Sequence, residues 1–169
     1  SFEEVTSAGG FGHIQKGHGV SFADLDNDGD QDIYAVLGGA YEGDNYTNVC
    51  FENPIFENNW VILNLEGVQS NRSAIGTKLK LDLDNGRTIF YTINTGGSFG
   101  ANSLQAEIGL GQSEMVQTLT IIWPNSDTQI FNNVAVNKKY KLTEGQNKLI
   151  EKPYEKVQFL SKELIHHKK

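Results

Sequence analysis

Apolar and polar residues alternate along most of this chain, and the alternation is cleanest from Ile75 to Leu83. There Leu79, Leu81 and Leu83 fall on one side and Lys78, Lys80 and Asp82 on the other, which predicts a half-buried strand. Asn85-Gly86 follows as a tight hairpin turn, a pair suited to positive φ, and Arg87 to Ile93 is the expected return strand. Gly19–Ala23, Ile33–Leu37, Thr47–Glu52, Trp60–Leu65, Gln105–Gly109, Thr118–Trp123, Gln129–Phe131 and Tyr140–Leu142 read as further short strands. Turn residues separate them, among them Gly38-Gly39, Gly43-Asp44-Asn45, Asn53-Pro54 and the run Gly96 to Gly100. Short strands at close spacing predict a sandwich. In the glycine-rich opening, residues 1–15, Phe2 and Val5 are the expected anchors. The tail beyond Lys152 fits two patterns: Val157 and Phe159 alternate as in a strand, while Val157, Leu160 and Leu164 suit a helix.

Composition agrees with an all-β chain. Of 169 residues 38% are hydrophobic, 18 are Gly and only three are Pro, and runs of helix-favouring residues are scarce. The one cysteine, Cys50, excludes an internal disulfide and a cysteine-rich zinc site; it reads as a small buried hydrophobe. No apolar run is long enough for a membrane-spanning helix. The net charge of -7 is concentrated near the start: residues 1–58 carry eleven acidic side chains against Lys16 alone. No basic stripe follows, so nucleic acid is not an expected partner. A start at Ser1, without Met or a signal peptide, suggests a mature or excised piece of something larger.

The acidity centres on DLDNDGDQD, where Asp24, Asp26, Asp28, Asp30 and Asp32 occupy alternate positions and Gly29 stands sixth. Oxygens at positions one, three, five, seven and nine, with a glycine for the sharp turn, are the layout of a calcium loop. Each close carboxylate pair repels by roughly 1 kcal/mol even in water, which a hard cation relieves. All-oxygen ligation selects Ca²⁺, with Mg²⁺ as second choice. The flanks are strands and the twelfth position is Ala35, so the loop is not an EF-hand. Its expected role is structural, against the bland alternative of a solvated charge run.

Other candidates are weaker. His13 and His18 are expected to pack and hydrogen-bond locally, and His166-His167 lie in the tail. Asp82 and Asp84 flank the Asn-Gly turn and read as turn residues rather than a second cage. None of Ser70, Ser73, Ser98 or Ser103 has the setting of a nucleophile elbow. Gly109-Leu110-Gly111 lacks the third glycine of a dinucleotide fingerprint. Tyr41, Tyr46 and Phe99 stand in Gly- and Asn-rich loops, where exposed aromatic faces can meet sugars.

Two family resemblances rest on quoted residues. Gly19 to Val36, GVSFADLDNDGDQDIYAV, resembles an FG-GAP repeat, the calcium-binding hairpin of integrin-type β-propeller blades. That resemblance implies side-chain ligation by Asp24, Asp26, Asp28 and Asp32, and a backbone carbonyl from Asp30. Trp60 to Gly145 resembles the ASPIC/UnbV domain of the cartilage acidic protein family and its bacterial relatives. The carriers are Ser70-Asn71-Arg72-Ser73-Ala74-Ile75-Gly76, Gly96 to Gly100, Ile108-Gly109-Leu110-Gly111, Trp123-Pro124, Asn137, Tyr140 and Glu144-Gly145. One departure is visible: the family's glycine shortly after Trp-Pro is replaced by Asn125-Ser126-Asp127. Within that signature Arg72 is expected to be a buried clamp between strands, or to line a ligand site with Ser98, Phe99 and Asn102.

Together the resemblances imply an FG-GAP-like segment over 1–58, an ASPIC/UnbV-like β-sandwich over 59–150 and a tail over 151–169. They imply the C-terminal part of a secreted or cell-surface protein, with further propeller blades and an extracellular protein or glycan as partners. The expected function is a calcium-stabilised, non-catalytic recognition or adhesion module. The competing readings are a carbohydrate-binding accessory of a surface uptake system and an enzyme of unknown reaction.

Overall fold

The computed structural model describes residues 2–53, 58–97 and 99–158, and all the regular structure among them is strand. The strands are β1 (Gly17–Ala23), β2 (Asp32–Leu37), β3 (Val49–Phe51), β4 (Asn59–Glu66), β5 (Lys78–Leu83), β6 (Thr88–Thr92), β7 (Ala106–Gly111), β8 (Met115–Ile122), β9 (Thr128–Ala135), β10 (Lys138–Thr143) and β11 (Ile150–Lys152). They form three sheets: β1-β2-β3, β11-β10-β4-β7 and β6-β5-β8-β9. Each neighbouring pair is antiparallel except β4 and β10, which run parallel.

The two four-stranded sheets share one core, because each strand turns alternate apolar residues inward. β4 contributes Val61, Leu63 and Leu65; β5 contributes Leu79, Leu81 and Leu83; β8 contributes Val116, Leu119 and Ile121. Trp123 is buried beneath them, and its indole N–H donates to Gln129 Oε1 at 2.6 Å, so the largest side chain in the core keeps its polar atom satisfied. The all-β sandwich expectation therefore holds.

Several local expectations are corrected. Residues 75–77 are not strand: Ile75 N–H donates to Asn71 Oδ1 and Asn71 Nδ2 donates to Ile75 O, closing a turn. At the β5–β6 hairpin only Gly86 takes positive φ, 81°, and Asn85 does not, so the turn is not a two-residue primed turn. Trp123 lies just past β8, where its N–H donates to Asp127 O across the Asn125-Ser126 turn. Ser126 itself adopts φ 76°, a left-handed conformation that favours glycine. In the opening segment Phe2 and Val5 are exposed rather than anchoring; Phe11 instead stacks on Phe51, with ring centroids 4.9 Å apart. Cys50 is exposed, because it alternates out of β3 between Val49 and Phe51.

The three-stranded sheet and its acidic loop lie against the outer face of the sandwich. Ile62 and Glu107 are paired neighbours on β4 and β7, and both are buried although Ile62 is no part of the sandwich core. Trp60 packs edge-on to Gly29, where any Cβ would collide with the indole. A second crossing brings the backbone of Phe99 and Gly100 onto Gly19 and Val20 so closely that neither glycine could carry a Cβ.

Candidate metal centre and its C-terminal strap

The loop between β1 and β2 folds around its own carboxylates. Asp24 Oδ1 accepts from Asp28 N–H at 3.0 Å and Asp24 Oδ2 from Gly29 N–H at 2.7 Å. Asp28 N–H is also 3.2 Å from Asp26 Oδ1, and Asp30 N–H donates to Asp28 Oδ1 at 3.2 Å. Asn27, at φ 60°, and Gly29, at φ 102°, supply the left-handed bends this winding requires. Asp24, Asp26 and Asp28 each turn one carboxylate oxygen into a group within 4.8 Å of one another.

Asp32 also accepts from the backbone. Its two oxygens accept N–H bonds from Leu25, at 3.0 Å, and from Asn53, at 2.9 Å, so it closes the mouth of the loop and ties it to the segment just after β3. Asp30 has the opposite character. Its Oδ1 is buried without a hydrogen-bond partner among the described residues. Burial first, then the neighbouring carboxylates of Asp28, Asp32, Asp24 and Asp26, pushes the Asp30 carboxyl up to about 6. Burial likewise raises Asp24, against the opposing hydrogen bonds of Tyr154, Gly29 and Asp28.

The segment after β11 straps this loop to the sandwich. Tyr154 hydroxyl donates to Asp24 Oδ2 at 2.7 Å, and its ring lies 5.5 Å from that of Trp60, with the Lys139 ammonium 4.8 Å from its centroid. Asn27 Nδ2 donates to Glu155 O at 3.1 Å, and Val157 N–H donates to Asp26 O at 2.5 Å. Lys156 Nζ sits 2.9 Å from Asp28 Oδ2 and 3.4 Å from Asp26 Oδ2. From the sandwich side, Glu107 Oε2 accepts from Asp24 N–H at 3.2 Å and from Gln31 Nε2 at 3.0 Å. Sequence reasoning found the five aspartates and missed Glu107, Tyr154 and Lys156. The only signal was for Lys156, in the basic excess of residues 151–169, five basic side chains against three acidic.

An all-oxygen donor set and one orphaned buried carboxylate oxygen are together suited to a hard cation, although Lys156 already neutralises part of the charge. Beside the loop, a cleft of about 520 Å³ is lined by Asp28, Asp30, Gln31, Asn59, Trp60 and Asn137. Asn137, at φ 55° in the β9–β10 turn, holds one wall: its Oδ1 accepts from Trp60 N–H and its Nδ2 donates to Asn59 Oδ1.

The second group of sequence candidates is dispersed. The Arg72 side chain is 87% exposed and pairs with Glu66 Oε1 at 3.4 Å, so it is not a buried clamp. It lines a separate groove with Ser73, Leu104, Gln105 and Lys141. Asn102 Oδ1 accepts from Phe22 N–H at 3.2 Å on the outer edge of β1, beside the exposed Phe99; Ser98 lies outside the described residues. The buried clamp of this region is Glu144. Its Oε2 accepts the N–H groups of Val68, Gln69 and Ser70 at 2.6, 2.7 and 2.8 Å, and its Oε1 accepts the Ser70 hydroxyl at 2.8 Å. Burial alone would raise this carboxyl, but those donors outweigh it and hold it below its ordinary value. His18 bonds Gly38 O and His13 lies against Phe51, as local packing requires. His166 and His167 lie outside the described residues.

Fold and site thus define an all-β protein with a sandwich and an acidic loop strapped to its outer face. Residues 67–149, from just after β4 to just before β11, match the family described as ASPIC and UnbV. A comparison with curated proteins gave no match.

Proposed function

We propose that this chain is a calcium-stabilised, non-catalytic recognition or adhesion module of a secreted or cell-surface protein, its first unit an FG-GAP-like blade segment. The observation that carries this reading is the convergence of Asp24, Asp26 and Asp28 in the loop, supported by an Asp30 oxygen that is buried without a partner among the described residues. Side chains of Asp24, Asp26 and Asp28 would hold the ion, with Asp30 completing the set. Bound there, Ca²⁺ supplies positive charge that offsets carboxylate repulsion and fixes the loop. Asp32 supports the set from outside, through Leu25 and Asn53. Val20, Phe22, Tyr34 and Val36 stay exposed on the three-stranded sheet, in keeping with further propeller blades as partners.

Calorimetric titration with calcium tests this directly. The chain is expected to take up one ion, and Asp26→Ala to abolish uptake. Saturating heat at one site that persists unchanged in Asp26→Ala would contradict the assignment.

The cleft beside the loop favours a second reading, a carbohydrate-binding accessory of a surface uptake system. Trp60 with Gln31, Asn59 and Asn137 is the aromatic-and-amide lining that sugars use, although those amides already bond within the protein. A glycan array decides it; silence across all polysaccharides removes it.

A further inference from the structure

The acidic loop meets a cation of its own chain. Among the described strap residues, Lys156 is the one whose side-chain charge rests on the aspartates, and it reaches the carboxylate oxygens Asp28 Oδ2 and Asp26 Oδ2. Those two acidic side chains are 6% and 2% exposed, whereas Lys156 is 44% exposed, so the ammonium covers them from the solvent side. A divalent ion using the same oxygens would stand within a few ångströms of that ammonium, and like charges so close repel strongly in a partly desolvated site. The two cations exclude each other.

We propose that Lys156 is the loop's built-in counter-ion, displaced when a divalent cation binds, so that the strap sets the ion affinity of the site. The inference rests on the calcium reading given above. Exchange requires movement of one side chain only. The Val157 N–H to Asp26 O and Asn27 Nδ2 to Glu155 O bonds use backbone groups of the strap and no carboxylate, so they persist when the ammonium leaves. Tyr154 holds Asp24 through a neutral hydroxyl, which adds no charge against an incoming ion. The strap therefore stays docked while its lysine swings into solvent. Without an ion, Lys156 limits the repulsion among Asp24, Asp26 and Asp28; with one, it is the competitor that keeps affinity modest.

Calcium titration of the wild-type chain, Lys156→Gln and Lys80→Gln tests the exchange. Lys80 pairs with Asp82 on β5, so its variant controls for net charge alone. Lys156→Gln is expected to bind calcium about tenfold more tightly, with Lys80→Gln unchanged. A second readout uses the wild type only: amine labelling followed by mass spectrometry, in which calcium is expected to increase modification of Lys156. If the wild type binds calcium but Lys156→Gln binds no more tightly, or Lys156 labelling ignores calcium, the counter-ion role falls while the calcium site stands. If neither the wild type nor Lys156→Gln binds calcium, both fall together.

Discussion

Two residues show how single side chains hold this molecule, and neither is one of the aspartates. Ser126 sits at φ 76° in the turn after Trp123-Pro124, a conformation that costs an L-residue roughly 1–2 kcal/mol and glycine little. Part of that gain is lost to the greater freedom of glycine in the unfolded chain. Ser126→Gly is therefore expected to stabilise the protein by about 0.5–1 kcal/mol in a denaturant melt; a destabilised variant would contradict the strain. Glu144 works in the other direction. Its carboxylate satisfies three consecutive N–H groups and a hydroxyl, and Glu144→Ala is expected to cost about 2–3 kcal/mol of unfolding free energy. Because its folded value lies below the ordinary 4.5, the stability it adds is complete above that value and is lost as pH falls through the folded value. Glu144→Gln should accordingly show a smaller loss of melting temperature than wild type between about pH 5 and about pH 3. An equal loss in both would assign the acid limb to other carboxylates.

At the scale of elements, strand existence was legible and strand ends were not. Alternation marked β5 because every inward residue there is leucine and every outward one charged or polar. The same alternation overran into Ile75, because Asn71 closes a turn through side-chain bonds that a hydropathy pattern does not record. β11 escaped notice because Ile150–Lys152 has no buried face; it is held by backbone pairing to β10. The aspartate loop was legible for the opposite reason: its carboxylates bond within nine residues, so spacing alone encodes much of the geometry. Arg72 misled because a charged residue inside a signature suggests burial. Here the buried charge came from Glu144, more than seventy residues away in sequence.

For the whole molecule, the loop is less a free-standing ion trap than a joint. Three separate stretches meet on it: β7 through Glu107, the segment just after β3 through Asn53, and the strap through Tyr154 and Lys156. Long-range contacts of this kind have no local sequence signature, which is why the joint emerged only from the fold. A cation at the joint would stabilise more than nine residues, since loosening the loop would also loosen the docking of the small sheet on the sandwich. The measurement that bears most directly on this account is a thermal melt of the intact chain in excess chelator and in millimolar calcium. The account predicts a higher melting temperature in calcium, corresponding to about 2–3 kcal/mol when the ion is near a hundredfold above its dissociation constant. Superimposable melting curves would contradict it.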